Sequence, residues 1–274
     1  MEDMTGFGFC TGLTGLQRAR ISGVCRMRAS GMDEIAQLHV DAFKRLERRL
    51  GLIPSDHCAE TLGGSSSFEF GPSHGKICGF VSPEVPWLAE SQIRRDDNEF
   101  VRSRLLGFAS SNSCVPHLDI SIHAAMGGTM MRIDMIPRID VIEEVRYRDT
   151  FCGESRQSLW ESVTKQATAM FVNPDVNARA LQSPCCISII SKNDEKVVNL
   201  LSQAIFSSID AWSTWIETPP LTTSELDCSQ VISQRDQKLN ELLYSIERDS
   251  AAELFLDRNF ATAYATALLG PRRP

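Results

Sequence analysis

The chain lacks any apolar run of the roughly 18 to 20 residues that a membrane-spanning helix needs. It also lacks a Walker loop, a G-x-S-x-G elbow and an H-E-x-x-H helix. Gly6, Gly8 and Gly12 have the wrong spacing for a G-x-G-x-x-G loop and follow no predicted strand. These absences argue against a membrane-spanning protein, a dinucleotide-binding enzyme and the hydrolases that carry those motifs. No bound cofactor is indicated.

Paired cysteine spacings and clustered metal ligands are also missing. The nine cysteines form neither C-x-x-C pairs nor the spacing of a disulfide framework. The five histidines are scattered, with no His-Cys cluster. We therefore predict unpaired thiols in a reducing compartment and no zinc or other metal site.

Basic residues are outnumbered by acidic ones, 28 to 35, which gives a net charge of −7. This balance argues against nucleic acid as a partner. An acidic protein partner would need a local basic surface, and two clusters are candidates. They are Lys44, Arg45, Arg48 and Arg49 in the first predicted helix, and Arg94, Arg95, Arg102 and Arg104 further along the chain.

The N-terminal residues differ in composition from the remainder. After Glu2 and Asp3 there is no acid until Asp33, while arginines lie among Ser, Thr and Gly. This composition predicts that residues 1–30 are an organelle transit peptide. A flexible tail is the alternative, because the two early acids are atypical of transit peptides. Residues 31–270 are predicted to form a single domain.

Two strand-like runs, residues 117–123 and 129–136, carry the most informative pattern. Within both, polar or ionisable residues alternate with apolar ones. The polar residues are Asp119, Ser121 and His123 in the first run and Arg132 and Asp134 in the second. Because side chains of a strand alternate between two faces, the runs predict a hairpin with one apolar and one ionisable face. That polar face either meets water or, if helices cover both sides of the sheet, lines a pocket.

Strand signals come early in the chain and helix signals accumulate later, without a βαβ repeat. Further strands are predicted at residues 68–70, 76–81 and 185–190. Helices are predicted at residues 33–50, 154–171, 194–217, 233–247 and 251–269. This order favours an α+β fold, a central antiparallel sheet with helices packed on its faces. Asp249 and Ser250 lie at the predicted junction of the last two helices, where helix capping is the simplest role for Asp249.

The segment Tyr147–Thr150 followed by Arg156–Leu159 resembles the stretch that leads into a helix in red chlorophyll catabolite reductases. These are plastid members of the ferredoxin-dependent bilin reductase superfamily. Similar landmarks follow the same order over about residues 33–268. They are residues 40–50, Phe68–Phe70, Val115-Pro116, Asp134, Arg138, Asp140, Ser183-Pro184 and residues 211–217. Near the C-terminus, Arg248–Phe255 looks like a segment of the wider group in which an Asp faces the bound tetrapyrrole.

The resemblance implies an α/β/α sandwich that holds an open-chain tetrapyrrole between the sheet and the C-terminal helices. It implies no bound flavin or metal, electrons delivered singly by reduced ferredoxin, and protons from side chains and water. The implied reaction reduces red chlorophyll catabolite to the primary fluorescent catabolite in the chloroplast stroma. A bilin reductase acting on biliverdin or dihydrobiliverdin is the alternative, as is a tetrapyrrole-binding protein without activity.

The implied partners begin with ferredoxin. Other enzymes of chlorophyll breakdown and a second copy of the chain are further candidates. Of the two basic clusters, the one from Arg94 to Arg104 is the better candidate for docking an acidic ferredoxin.

Proton donors are expected on both sides of the ligand, because a carboxyl group desolvated beside a flat apolar molecule has a raised pKa. The resemblance places Asp249 on the helix side. On the sheet side the family has a Glu, and counting from Val115-Pro116 puts Ser121 at that place. A serine cannot act as the acid, so Asp119 or His123 on the same face is predicted to replace it.

Four further residues are predicted to contact the substrate together with Ser121. Arg132, Arg138 and Arg156 carry guanidinium groups, which suit the carboxylates of a tetrapyrrole, and Asp134 shares the polar face. A structural salt bridge, or an ordinary surface charge, is the alternative for each of them.

Overall fold

The computed structural model describes residues 29–97, 100–125, 127–173, 175–192 and 195–271. Its helices are α1 Ala29–Leu50, α2 His57–Thr61, α3 Val145–Phe151, α4 Glu154–Gln166, α5 Val176–Ala180, α6 Glu195–Glu217, α7 Thr223–Leu226, α8 Ser229–Phe255 and α9 Arg258–Leu269. Its strands are β1 Ile53–Ser55, β2 Ser67–Phe70, β3 Ser73–Val81, β4 Trp87–Arg95, β5 Phe100–Phe108, β6 His117–Ala125, β7 Gly128–Ile136, β8 Ala169–Met170 and β9 Ile187–Ser191.

The strands within the described ranges form one antiparallel sheet. Their order is β1-β3-β4-β5-β6-β7-β9-β8, and β2 pairs with β3 beside this path. Consecutive strands from β3 to β7 are neighbours, as expected of hairpins joined by short turns. The middle of the sheet is therefore β4 to β7, and both of its faces must be covered.

Helices cover both faces, and each face has its own core. On one face α1, α4 and α6 pack on apolar strand residues, among them Leu105, Ile120 and Ile133. On the opposite face α2, α8 and α9 pack on a second core that includes Trp87 and Phe108. The predicted α+β sandwich, with an antiparallel sheet between two helical layers, is confirmed.

The predicted polar hairpin is formed by β6 and β7. Asp119 lies opposite Asp134, and Ser121 lies opposite Arg132. The alternate residues of β6, such as Ile120, belong to the core beneath α1 and α6. Because Asp119 and Asp134 are both buried, the polar face does not meet bulk water. Of the two possibilities that the sequence left open, the covered face is the correct one.

The strands β4 and β5 are among those that the sequence did not predict, and their presence changes the interpretation of a basic cluster. Arg94 ends β4, whereas Arg102 and Arg104 lie within β5 in the middle of the sheet. Arg102 and Arg104 are buried. They cannot belong to a ferredoxin-docking surface. The predicted docking site is therefore wrong for Arg102 and Arg104. The remaining members, Arg94 and Arg95, form ion pairs with Asp33 and Asp97.

The boundaries of several helices also differ from the prediction. The helix predicted to end at residue 171 stops at Gln166, and the short strand β8 follows. The predicted break at Asp249 is wrong, because α8 continues to Phe255. The chain instead turns at Leu256, which adopts a left-handed conformation with φ 55°, and Asp257 caps α9 by accepting a hydrogen bond from the Phe260 amide. Asp249 therefore caps no helix.

Three other expectations concern membrane-spanning helices, the cysteines and the N-terminal residues. Among the described residues, no helix has the length and apolar character to cross a membrane. The seven described cysteines are free thiols, as predicted. The predicted transit peptide lies outside the described residues except for its last two positions, which begin α1.

Candidate functional site

A buried cluster of charged side chains lies between the middle of the sheet and α8. Its members are Arg102 and Arg104 of β5, Asp119 of β6, Arg132 of β7 and Glu247 of α8. Asp119 is completely buried, and Arg104 and Glu247 expose only 2% and 3% of their surface. Period-two alternation turns the four strand residues toward α8, and helical spacing turns Glu247 toward the sheet.

Each carboxylate of this cluster is shared by two guanidinium groups. Arg104 donates through Nε and Nη2 to the two oxygens of Asp119, at 3.0 and 3.2 Å, and through Nη1 to Glu247. Arg132 donates to Asp119 as well. Arg102 Nη2 donates to Glu247 Oε2 at 2.8 Å, and its Nη1 donates to Ser250 Oγ at 3.1 Å. Burial opposes ionisation of Glu247, but Arg104 and Arg102 outweigh it, so the pKa of Glu247 is lowered.

Among these five side chains three guanidinium groups meet two carboxylates, so positive charge is in excess while the neighbouring Asp134 is protonated. The buried Nε atoms of Arg102 and Arg132 have no hydrogen-bond partner in the described part of the chain. The side chain of Arg132 is 20% exposed, so one edge of the cluster is accessible. Unsatisfied buried donors and uncompensated buried charge are both unfavourable. The cluster therefore favours binding of a further anion at its Arg132 edge.

Asp134 lies beside the cluster on β7, and its hydrogen-bond partner differs from those of Asp119. It is 2% exposed, and its Oδ1 accepts a hydrogen bond from the Ser183 amide at 3.1 Å. Burial raises the pKa of Asp134 to about 6, although the contact with Ser183 and the charge of Arg132 oppose this rise. Asp134 thus retains its proton at a higher pH than an exposed aspartate does, which suits a proton donor.

His123 and Ser121 complete the polar face of β6. Burial, followed by the charges of Arg102, Arg104 and Arg132, holds the pKa of His123 well below its usual value. Its imidazole is therefore neutral near pH 7. Ser121 lies between Arg104 and Arg132 in the strand register and is mostly buried.

Arg138, a predicted substrate ligand, is engaged outside the cluster. Its Nε donates to Asp236 Oδ1 at 3.0 Å and its Nη2 donates to Asp236 Oδ2 at 2.5 Å. Its Nη1 donates at 2.8 Å to the carbonyl groups of Ser110 and Ser113. Because four of its five N–H donors are used in these contacts, Arg138 fastens the first half of α8 to the loop before β6.

His117 strengthens the same attachment. Its Nδ1 accepts a hydrogen bond from the Ala109 amide at 3.1 Å, so the proton is on Nε2, which donates to Asp236 Oδ1 at 3.1 Å. Burial opposes ionisation of Asp236, yet His117 and Arg138 outweigh it and lower the pKa of Asp236.

The structure places the other two predicted residues away from the cluster. Arg156 is buried on α4, on the opposite side of the sheet, and donates to Ser208 Oγ at 2.9 Å. Burial lowers its pKa. The side chain of Asp249 is 66% exposed on α8 and pairs with Arg248. Glu247 and Ser250, rather than Asp249, represent α8 in the cluster.

Sequence reasoning missed Glu247, although a signal was present. Leu239, Leu243, Ala251 and Phe255 form the buried stripe of α8, and Glu247 occupies a position of that same four-residue repeat. An acid in an apolar stripe indicates a buried partner of opposite charge. The same reasoning applies to Arg102 and Arg104, which share one face of β5 and are flanked by Val101 on one side and Leu105 and Leu106 on the other.

The space at the cluster is almost completely filled. A cavity of about 10 Å³ is lined by residues that include Arg104, Asp134, Leu181 and Leu243. Sites for drug-sized ligands usually have volumes of ~300–1,000 Å³. A larger open cleft of about 890 Å³ borders the first half of α8 and the end of α9, with Asp236 and Tyr244 among its lining residues. Apart from its exposed edge at Arg132, the cluster is therefore closed in this structure.

Comparison with known proteins identifies the fold. No family model and no curated protein matches the sequence. Among solved structures, the chain is similar to phytochromobilin synthase from tomato in complex with biliverdin, with a TM-score of 0.69. The sequences are 15% identical, and the match covers 85% of this chain and 82% of the tomato chain. At this identity the similarity establishes the fold.

Proposed function

We propose that this protein reduces a linear tetrapyrrole, bound between the sheet and α8, with electrons from reduced ferredoxin. The observation that carries the proposal is the buried cluster on the α8 face, in which guanidinium groups outnumber carboxylates. The similarity of its fold to that of a phytochromobilin synthase solved in complex with biliverdin supports it. The collinear sequence landmarks of the bilin reductase superfamily support it independently of the fold.

Arg132 is the proposed anchor for a carboxylate of the tetrapyrrole. Its side chain lies at the accessible edge of the cluster, and its Nε has no hydrogen-bond partner among the described residues. A guanidinium group binds a carboxylate through two parallel hydrogen bonds, which also fixes the orientation of the ligand. Arg102 has a second unpartnered Nε deeper in the cluster.

Asp134 is the proposed proton donor. Reduction of one double bond requires two electrons and two protons, and ferredoxin supplies only the electrons. With a pKa of about 6, Asp134 can donate a proton and be reprotonated at a pH near its pKa. Asp119 is engaged by Arg104 and Arg132, and the neutral His123 is a weak acid. We therefore assign positioning of the cluster to Asp119 and a hydrogen bond to the ligand to His123.

Substrate entry requires movement of the helical layer, because the present cavity of about 10 Å³ is too small for a tetrapyrrole. Leu243 of α8 and Leu181 next to α5 cover the cluster. We propose that α8 moves away from the sheet to admit the ligand, and that Glu247 moves with it.

Red chlorophyll catabolite is the proposed substrate, with the primary fluorescent catabolite as product and the chloroplast stroma as location. The ordered landmarks of that reductase family support this choice. Biliverdin or a dihydrobiliverdin is the second candidate. It is favoured by the biliverdin of the tomato complex, and by Ser121, which replaces the Glu of catabolite reductases.

The test is an anaerobic assay of the purified protein with reduced ferredoxin, in which red chlorophyll catabolite and biliverdin are supplied in parallel. Reactions without ferredoxin are the control. A blue-fluorescent product from the first substrate is the expected result, whereas loss of biliverdin absorbance alone supports the second candidate. Spectral changes on mixing without turnover of either pigment would indicate a binding protein. No interaction with either pigment would refute the proposal.

A further inference from the structure

Two buried cysteines from distant parts of the chain lie next to each other. The Sγ atoms of Cys114 and Cys228 are 3.6 Å apart, although 114 positions separate them in the sequence. Cys114 is completely buried in the loop before β6, and Cys228 directly precedes α8 and is 6% exposed. The pair therefore joins the start of a central strand to the start of the helix that carries Glu247.

The two backbone segments are already held together around this pair. The Cys114 amide donates to the Leu221 carbonyl at 3.3 Å, and Ser113 forms a β-bridge with Thr222. A disulfide requires an S–S distance of ~2.05 Å, so the sulfur atoms must approach by about 1.5 Å. Rotation about the two Cα–Cβ bonds is the motion that moves these sulfur atoms toward each other.

We propose that Cys114 and Cys228 are a reversible disulfide site that fastens the N-terminal end of α8 to the segment before β6. The oxidant is hydrogen peroxide. Cys228 attacks the O–O bond, which forms a sulfenic acid and releases water. The Cys114 thiol then attacks the Cys228 sulfur, which forms the disulfide and releases a second water. Two electrons pass to the peroxide, and a dithiol reductant reverses the change.

Cys228 is the cysteine that reacts first. Burial, reinforced by the neighbouring Cys228, raises the pKa of Cys114 to about 12, and Cys114 has no exposed surface. The thiolate is the reactive form of cysteine, so Cys114 serves as the resolving thiol. Its attack comes at short range, over the 3.6 Å that separates the two sulfur atoms.

The bond would restrain the helix that must move. At present, side-chain contacts of Asp236 with Arg138 and His117 hold the first half of α8, which borders the open cleft of about 890 Å³. A disulfide adds a covalent attachment eight residues before Asp236. If the proposed function holds, oxidation slows the opening of the ligand site. Formation of the disulfide itself does not depend on the proposed function.

The first test is peptide mapping of the full chain after treatment with hydrogen peroxide under an iodoacetamide quench. The expected result is a linked peptide containing Cys114 and Cys228, lighter by two hydrogen atoms and lost after dithiothreitol. Cys114→Ser and Cys228→Ser should each abolish it, whereas Cys58→Ser, at another buried cysteine, should not. Cys152 and Cys185 are a second neighbouring pair, because Cys185 Sγ lies 3.4 Å from the Cys152 carbonyl oxygen. A map showing Cys114 and Cys228 unlinked, or a link only between Cys152 and Cys185, would overturn the proposal.

The second test measures amide hydrogen exchange of α8 in the oxidised and reduced protein. We expect exchange in the first turns after Ser229 to slow by at least about tenfold on oxidation, and thermal unfolding to move upward by about 5 °C or more. Unchanged exchange in a protein shown to carry the disulfide would refute the restraint on α8. Association with biliverdin should slow in the same samples, and failure of biliverdin to associate in either state would count against the proposed function alone.

Discussion

The two faces of strands β6 and β7 carry different kinds of side chain, apolar on one face and charged on the other. Toward α1 and α6 these strands present Ile120, Ile122 and Ile133, which are buried in an apolar core. Toward α8 the same strands present Asp119 and Arg132, which join the ion cluster. Apolar burial stabilises a fold by ~25 cal/mol per Å², whereas a buried ion pair roughly balances its own desolvation.

The two faces of these strands therefore contribute differently to the stability of the fold and to the proposed chemistry. A sheet covered by helices on both sides gains little stability from four buried charges and the partly buried Arg132, which apolar side chains of similar volume could replace. On β6 and β7 the face toward α1 and α6 therefore contributes to stability, whereas the face toward α8 carries the charged groups to which we assign the ligand. Each of the following predictions tests one side of that contrast.

The largest effect is expected from Asp134→Asn, which keeps the shape of the side chain and removes its acidic proton. Turnover of the accepted pigment with reduced ferredoxin should fall by ~10²–10⁴-fold, because the proposed donor is lost. Binding of the pigment, followed by absorbance, should persist. Asp249→Asn, the same change at the exposed carboxylate of α8, is the matched control and should leave turnover unchanged. Equal losses in both variants would contradict the assignment.

The next largest effect concerns stability. Asp119→Ala leaves Arg104 buried without one of its two carboxylate partners, and it removes the partner of Arg132. Loss of one member of a buried ion network costs ~3–5 kcal/mol, so the urea midpoint should fall sharply. Asp249→Ala, which disturbs only an exposed pair, should leave the midpoint in place. Comparable midpoints for the two variants would show that the cluster is not closed as described.

A smaller effect follows from the pKa of Asp134, which is raised from its ordinary value of 3.8 to about 6. The protonated form is favoured in the folded state, so this contribution is complete below pH 3.8 and is lost as the pH rises through 6. The difference of about two pKa units corresponds to ~2–3 kcal/mol. Unfolding free energies of wild type and Asp134→Asn, measured between pH 4 and 7, should therefore differ in slope. Parallel curves would show that the pKa of Asp134 is not raised in the folded protein.

The slope from Asp134 is separable from that of the other buried acids. Glu247 and Asp236 have lowered pKa values, so their stabilising contribution is present above their ordinary values and is lost only as the pH falls below them. Glu247 and Asp236 therefore change the unfolding free energy mainly at the acidic end of the pH range over which Asp134 changes it.

The smallest effect is expected on the opposite face. Ile122→Val removes one methylene group from the apolar core of β6 and should cost ~0.5–1.5 kcal/mol. Turnover should remain at the wild-type rate, because no atom of Ile122 faces α8. A large loss of activity with little loss of stability would break the proposed separation of the two faces.

The sequence was most informative where a local pattern determines the structure. Alternation along residues 117–123 and 129–136 predicted the hairpin and its two faces, and the order of elements predicted the sandwich. Strand β5 lacks this alternation, because Ser103 separates Arg102 from Arg104, and its sequence therefore indicates a surface cluster. Only the central place of β5 in the sheet explains their burial.

Partners from distant segments could not be predicted. Arg138 meets Asp236, which lies 98 positions later, and this contact, rather than any property of the local sequence, occupies its guanidinium group. Asp249 has the residue type that the resemblance requires, yet the continuous helix α8 turns it to solvent and turns Glu247 inward. The phase of a helix relative to a sheet is fixed by tertiary packing, which no single segment encodes.

The most direct test of the central claim compares adjacent residues on the two faces of β7. Biliverdin is titrated into wild type, Arg132→Met and Ile133→Val, and binding is followed by the absorbance of the pigment. Arg132 belongs to the ion cluster and Ile133 to the apolar core. We expect Arg132→Met to weaken binding by at least about tenfold, the loss of roughly one charge-assisted hydrogen bond, and Ile133→Val to bind as wild type does. Equal affinities of all three proteins would show that the α8 face does not recognise the ligand.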